Sequence, residues 1–360
     1  MNRALNFNAG PAALPEWALK EAQNELLNFR NTGMSVMELS HRSKDYEAVH
    51  NEAIGSLRSL LSISDDYEVL FLQGGASLQF SMVPMNLLSK DKTAYYTLTG
   101  SWAEKALKEA KKVGKTEISI SSKENNYKNI PTFDATSIPS DAAYLHITSN
   151  NTIYGTQWKQ FPTDLKVPLI ADMSSDILCK PLNMEQFDLI YAGAQKNLGP
   201  SGLTVVIMKK ELLSRSSDEL PSMLNYNTYA KNNSLYNTPP TFGIYLLSLV
   251  LKWVEQQGGL QAMEKINNQK AAMLYDEIDQ SDGFYNGHAT SDSRSIMNVT
   301  FTLNSDEATK SFLAQAKEAG FVGLNGHRSI GGCRASIYNA VPTENVERLA
   351  QFMREFRKNY

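Results

Sequence analysis

The sequence predicts an α/β fold in which a large domain with a mostly parallel central sheet is followed by a smaller α+β domain. Three observations carry this expectation. Short, apolar, β-rich runs alternate with helix-like stretches through the first two-thirds of the chain, as parallel strands joined by helical crossovers require. From about residue 259 the texture changes to polar helices around two later strand-like runs. Finally, 360 residues with 42% hydrophobic and 20% charged side chains are enough to bury a large core without a disulfide or metal.

The first run, residues 67–72 (YEVLFL), breaks at Gly74-Gly75 and leads into the helix-like LQFSMVPMNLL. The second, 94–98 (AYYTL), ends at Gly100 and leads into AEKALKEAKKV. Further runs lie at 117–120, 142–147, 168–171, 188–191 and 203–208, several of them short, apolar and β-rich, as strands buried on both faces should be. After Thr241 comes one long apolar helix, closed by Gly258-Gly259. A polar helix over 261–279, a strand over 297–303, a helix over 306–319, a strand over 334–338 and a last helix capped by Thr343 complete the chain. The expected division is an N-terminal segment 1–15 near the active site, a large cofactor-binding domain 16–258 and a small domain 259–360.

Charge and cysteine content narrow the function. Lys plus Arg total 35 and Asp plus Glu 38, a net −3 with no basic excess to suggest nucleic acid or an anionic membrane as partner. Two cysteines, Cys179 and Cys333, exclude a disulfide framework and a Cys-rich zinc site, so no metal is expected. The opening MNRALNFNAGPAALP has no apolar stretch ahead of a cleavage site. The longest apolar stretch, 242–254, is too short to span a bilayer and carries Lys252. A cytoplasmic, soluble protein is the expectation.

In open α/β sheets ligands bind beyond the carboxyl ends of the strands. After the first strand, Gly74-Gly75-Ala76-Ser77 enter a helix whose free N–H groups can hold a phosphate. A plain turn is the alternative, and the absence of a Walker lysine or GxGxxG spacing argues against nucleotides. After the second, Trp102 either covers a flat ring or fills the core. After 168–171 comes Asp172, in ADMSSD, which either pairs with a ring N–H⁺ or is bonded by its own serines. After 188–191 comes Lys196, in AGAQKNLGPSG, among small residues where desolvation would free its amine. An isolated lysine is ordinarily a solvated surface cation. Together the four features read as a pyridoxal-phosphate site.

The motifs FNAGPAALP, SHRS, QGGAS, TGSW, NNTIYGT, ADMSSD, AGAQKNLGPSG, YNTPPT and GHRSIGGCRASIYNA extend this along nearly the whole chain. With them the sequence resembles the phosphoserine aminotransferase family, in the class V branch of the fold-type I pyridoxal-phosphate enzymes. The resemblance implies that Lys196 bonds the cofactor and then relays the proton. It implies that Asp172 pairs with the pyridine nitrogen, that Trp102 stacks on the ring and that Thr152 donates to its phenolic oxygen. Ala76, Ser77 and Gln195 would hold the cofactor phosphate. Asn237 and Thr238 would reach that phosphate from the other subunit of a homodimer.

A substrate with an α-carboxylate and a phosphate needs two anion sites, for which arginine forks are suited. Arg334 is the expected α-carboxylate clamp. His41, Arg42, His327 and Arg328 are expected at the substrate phosphate or the side-chain carboxylate of glutamate; loop surface positions are their ordinary alternative. Two His-Arg pairs in a chain with five histidines weigh against that. Some relatives carry arginine at the position of Ser77 and serine at that of Ala9, which bears on affinity rather than reaction; Asn8 is a further candidate at the mouth. The implied reaction moves an amino group from L-glutamate to 3-phosphohydroxypyruvate, giving O-phospho-L-serine and 2-oxoglutarate, in L-serine biosynthesis. Use of 4-phosphohydroxy-L-threonine in pyridoxine biosynthesis stays open. The rivals are alanine– or serine–glyoxylate transamination, a cysteine desulfurase using Cys333, and a non-catalytic cofactor-binding protein.

Overall fold

The computed structural model describes residues 3–360. Its centre is a seven-stranded sheet with strand order Tyr67–Leu72, Thr204–Lys209, Leu189–Gly193, Leu169–Asp172, Tyr144–Thr148, Thr93–Leu98, Lys115–Ser121. Thr204–Lys209 runs antiparallel to both of its neighbours, and the remaining pairs are parallel. Alternate residues of each strand enter different cores. Val69, Phe71, Leu169, Ala171, Val205 and Ile207 lie in one cluster, and Leu70, Leu72, Ile170, Val206 and Met208 in the other. Helices cover both faces, which is why these strands read as unbroken apolar runs rather than alternating ones.

Two expectations need correction. The run at 117–120 is part of the edge strand Lys115–Ser121, and none of its residues is fully buried. Of this strand only Ile120 packs against a core cluster and Ile118 is 47% exposed, so the rule for strands covered on both faces does not apply. Thr343 does not cap the last helix. It is the first residue of Thr343–Asn359; Pro342 holds the cap position and no side chain bonds there. A proline with its fixed φ starts the turn without that bond.

A second, three-stranded antiparallel sheet pairs Asn298–Leu303 with Tyr285–Gly287 and with Cys333–Ser336. It packs on Gly259–Asp279, Asp306–Glu318 and Thr343–Asn359 through Leu274, Phe301, Phe312, Ile337 and Met353. The N-terminus joins this layer. Leu5–Asn6 pairs in parallel with Phe321–Val322, and Phe7 is fully buried in the same cluster. The chain therefore passes from the second layer across to the first at residues 8–13, a route the sequence alone does not display.

One buried lysine fixes the loop through which the second layer meets the first. Lys270 is 0% exposed, and its ammonium donates to the carbonyls of Ile337 (2.9 Å), Tyr338 (2.8 Å) and Val341 (3.2 Å). Desolvation pushes its pKa down to about 7. The next loop residue, Asn339, receives a bond from Asn267, and its own N–H donates to Asn197 Oδ1 at 2.9 Å. Lys270→Met removes the donor and strands the carbonyls of Ile337 and Val341, while that of Tyr338 keeps the N–H of Val341 at 3.0 Å. Urea denaturation should show a loss of roughly 3 kcal/mol; a change within about 0.5 kcal/mol, the usual range for a surface substitution, would show that the clamp carries no stability.

Candidate active site

The carboxyl ends of the parallel strands open onto a cavity of about 580 Å³. Ala76, Ser77, Trp102, Thr152, Asp172, Gln195, Lys196, His327 and Arg334 all line it, as do Ala9 and Gly10. Nine of the fourteen residues singled out in the sequence are thus brought to one wall. Lys196 sits just past the strand Leu189–Gly193, and its Nζ lies 5.4 Å from the centre of the Trp102 ring. That amine makes no hydrogen bond or ion pair among the described residues. Burial lowers its pKa to about 8, Arg334 pushes the same way, and Asp172 and Asp176 oppose them.

Asp172 ends the strand Leu169–Asp172 and is 6% exposed. Its Oδ1 accepts from Ser174 N (3.0 Å) and Ser174 Oγ (2.6 Å). Its second oxygen has no partner among the described residues. The serine-bonded reading holds for one oxygen, and the other is open to a ligand. Burial raises the pKa of this carboxyl, against the pull of Ser174 and Lys196. Ser174 was not foreseen as a site residue, although the serine pair after Asp172 in ADMSSD was its signal.

Trp102 stands in the first turn of Ser101–Ala110 and donates from Nε1 to Thr152 Oγ1 at 3.1 Å. Indole N–H only donates, so the Thr152 hydroxyl proton remains free for another acceptor. Ala76 and Ser77 lie in the first turn of Gly75–Leu87, whose cap residue Gly74 has φ +85° and no capping side chain. A Cβ at Gly74 would stand 2.7 Å from that of Leu78, so only glycine leaves this anion-binding turn undistorted. Gly10 brings the N-terminal segment against the lysine; a Cβ there would be 3.3 Å from Lys196 Cγ.

Arg334, on the strand Cys333–Ser336, donates from Nη1 to Thr152 O at 3.1 Å, while its buried Nε has no partner. His327 faces the cavity with its Nδ1 2.7 Å from Ser329 Oγ; burial and the charges of Arg334, Arg328 and Lys105 lower its pKa. Arg328 is exposed and does not line the cavity. Nor do His41, Arg42, Asn237 and Thr238. His41 and Thr238 instead meet each other, Nδ1 to Oγ1 at 3.3 Å, and His41 Nε2 is buried without a partner. Cys333 is 0% exposed and burial pushes its thiol up to about 12, so it cannot supply the mobile thiolate of a desulfurase.

A free amine, a half-free carboxylate, an indole face, a helix N-terminus and an arginine around one cavity fit pyridoxal phosphate in every part. The sequence model of the family described as Aminotransferase class-V matches residues 4–349. A curated phosphoserine aminotransferase of Geobacillus kaustophilus is 67% identical over 360 residues, covering 100% of both chains. The chain belongs to the class V aminotransferases, and within them to the phosphoserine aminotransferase family. The solved phosphoserine aminotransferase from Bacillus circulans subsp. alkalophilus superposes with TM-score 0.97 at 57% identity, over 99% of each chain. A PLP-bound member from Trichomonas vaginalis does so with TM-score 0.92 at 39% identity, over 98% of this chain and 100% of that one. Among the described residues, no helix is long and apolar enough to cross a membrane.

Proposed function

We propose that this aminotransferase uses pyridoxal phosphate to move the amino group of L-glutamate to 3-phosphohydroxypyruvate, yielding 2-oxoglutarate and O-phospho-L-serine, in two half-reactions at one site. The observation that carries the reading is the unpaired Lys196 amine in one cavity with the open oxygen of Asp172, the Trp102 face and the unpartnered Nε of Arg334. When bound, pyridoxal phosphate supplies an electron-poor ring that stabilises negative charge on the substrate's α-carbon and holds the amino group between half-reactions.

The protein's own groups do the rest. Asp172 holds a proton on the ring nitrogen with its free oxygen. Trp102 covers one ring face, and the Thr152 hydroxyl is oriented because the indole occupies its oxygen. The N–H groups of Ala76 and Ser77, with the side chain of Gln195, hold the cofactor phosphate. Arg334 takes the α-carboxylate, and Lys196, basic near neutral pH, moves the proton on and off the α-carbon. The glyoxylate-specific rivals are disfavoured because neither substrate carries the second anion that the His327 side of the cavity serves. Borohydride reduction followed by peptide mapping should leave the cofactor's mass on Lys196; its appearance on another lysine would overturn the assignment.

The remaining site residues are read as serving a second copy. His41, Arg42, Asn237 and Thr238 sit together outside the chain's own cavity. Near them in sequence lie exposed apolar side chains, Leu27 at 85% and Met37 at 54%, a surface that suits burial against a partner. A homodimer with two shared sites follows from this reading, and the cytoplasm is its proposed location. So does a division into a cofactor-binding domain 16–258 and a small domain 259–360, with the first 15 residues reaching the site. Lys196→Ala chains co-folded with doubly substituted Asn237→Ala/Thr238→Ala chains should regain activity, because one of the two sites in each hybrid carries only native residues. Hybrid dimers without recovered activity would refute sharing.

A further inference from the structure

Asp176 is used by none of these roles. It is 6% exposed and does not line the cavity, yet it follows the lining residue Ser175 in the chain and shares the Ser149 hydroxyl with the carbonyl of Asp172, which also lines it. Its Oδ1 accepts from Ser149 Oγ, the same oxygen that lies 2.9 Å from the Asp172 carbonyl. Its Oδ2 accepts from Gln157 Nε2 at 3.0 Å, and Gln157 is itself oriented by Ile296 N–H, 3.1 Å from Oε1. No cation among the described residues forms an ion pair with it. The titratable groups whose charge it feels or affects are Asp172, Cys179, Lys180, Lys196 and Tyr338.

A carboxylate held this way is costly, because two neutral donors offset only part of its lost hydration. Burial raises its pKa to about 6, so it still carries its charge at neutral pH. A purely structural role could be met by an uncharged acceptor. What only a charge supplies is attraction for positive charge in the adjoining cavity, and Lys196 is the site's amine.

We propose that Asp176 is a positioning residue for the Lys196 amine: a second fixed negative charge, one layer behind the cavity wall, that works with Asp172 to favour the proton-bearing form of the lysine. Asp172 is the contact partner and faces the ligand. Asp176 is the standing field behind it, held rigid by Ser149 and Gln157. The inference rests on Lys196 being the reacting amine.

The test compares wild type with Asp176→Asn and with Asp176→Ser, whose hydroxyl can accept from Gln157 without setting two amide N–H groups against each other. In the pyridoxal-phosphate-loaded protein, the pH midpoint of the visible band reports the proton on the Lys196-linked nitrogen. In the cofactor-free full chain, the pH dependence of cyanate addition to Lys196, read by mass spectrometry, reports the amine itself. Both midpoints should fall by roughly one unit in both variants. The double variant Asp176→Asn/Gln157→Glu, which moves the charge across the same hydrogen bond, should bring them back most of the way. A folded charge-removing variant that titrates as the wild type does would overturn the proposal, as would a double variant that fails to restore the midpoint. Wild-type protein that takes no cofactor on Lys196 would instead defeat the reading beneath it.

Discussion

Lys196→Ala should leave a folded protein that binds pyridoxal phosphate non-covalently and transfers no amino group at a measurable rate. Proton transfer by one placed base contributes about 10²–10⁴-fold. On the proposed reading this amine also fixes the cofactor, so the expected loss is at the top of that range or beyond. No neighbour can replace it: Lys105, whose Nζ lies 4.1 Å from the centre of the Trp102 ring, is exposed and does not line the cavity. The lowered pKa gives the loss a pH signature in the wild type. An amine with a pKa of about 8 is protonated below that value and free above it, so cofactor capture should accelerate as pH rises through about 8. Stopped-flow absorbance reads this directly. A Lys196→Ala protein with appreciable turnover, or capture whose rate is flat across pH 7–9, would contradict the assignment.

The second large effect belongs to Arg334. Among the described residues its guanidinium has only Thr152 O as a partner and its buried Nε has none, so part of its hydrogen-bonding capacity is kept for a ligand. Arg334→Ala leaves a substrate carboxylate desolvated without a counter-charge, at a cost of about 2–5 kcal/mol. In kcat/KM this is roughly 30-fold to several thousand-fold. The loss should be similar for glutamate and phosphoserine, because both present an α-carboxylate. Arg334→Lys should recover only part of it, since an ammonium keeps the charge but not the fork. Steady-state kinetics with each substrate in turn would check this. A defect confined to phosphoserine would move Arg334 to the phosphate side of the site.

What was legible in the sequence was local. The run 67–72, the glycine turn and the helix after it are adjacent in the chain, so pattern and turn chemistry together specified a strand, a turn and a helix. Lys196 and Asp172 stood out in the sequence because one lies just past a strand and the other ends one, and strand ends are where such folds place chemistry. How far Lys115–Ser121 is covered depends on what packs over its faces, a fact of tertiary structure rather than composition: the other edge strand, Tyr67–Leu72, is almost wholly buried.

The non-local parts were out of reach. His41 and Thr238 are 197 positions apart, and only the fold brings them together away from Lys196. Ser149, Gln157 and Asp176 come from three segments whose convergence follows from the sheet order. Lys270 read as one more charge on a polar helix. Its burial depends on a loop 67 residues later that supplies the carbonyls.

The central claim is that this cavity exchanges amino groups with phosphoserine through a cofactor held on Lys196. The most direct test is the visible spectrum of the loaded protein before and after O-phospho-L-serine, and again after 2-oxoglutarate. The expected result is loss of the band on adding phosphoserine and its return on adding 2-oxoglutarate. A band that ignores phosphoserine but responds to alanine, serine or cysteine would contradict the substrate assignment. No band after reconstitution with pyridoxal phosphate would contradict the claim itself.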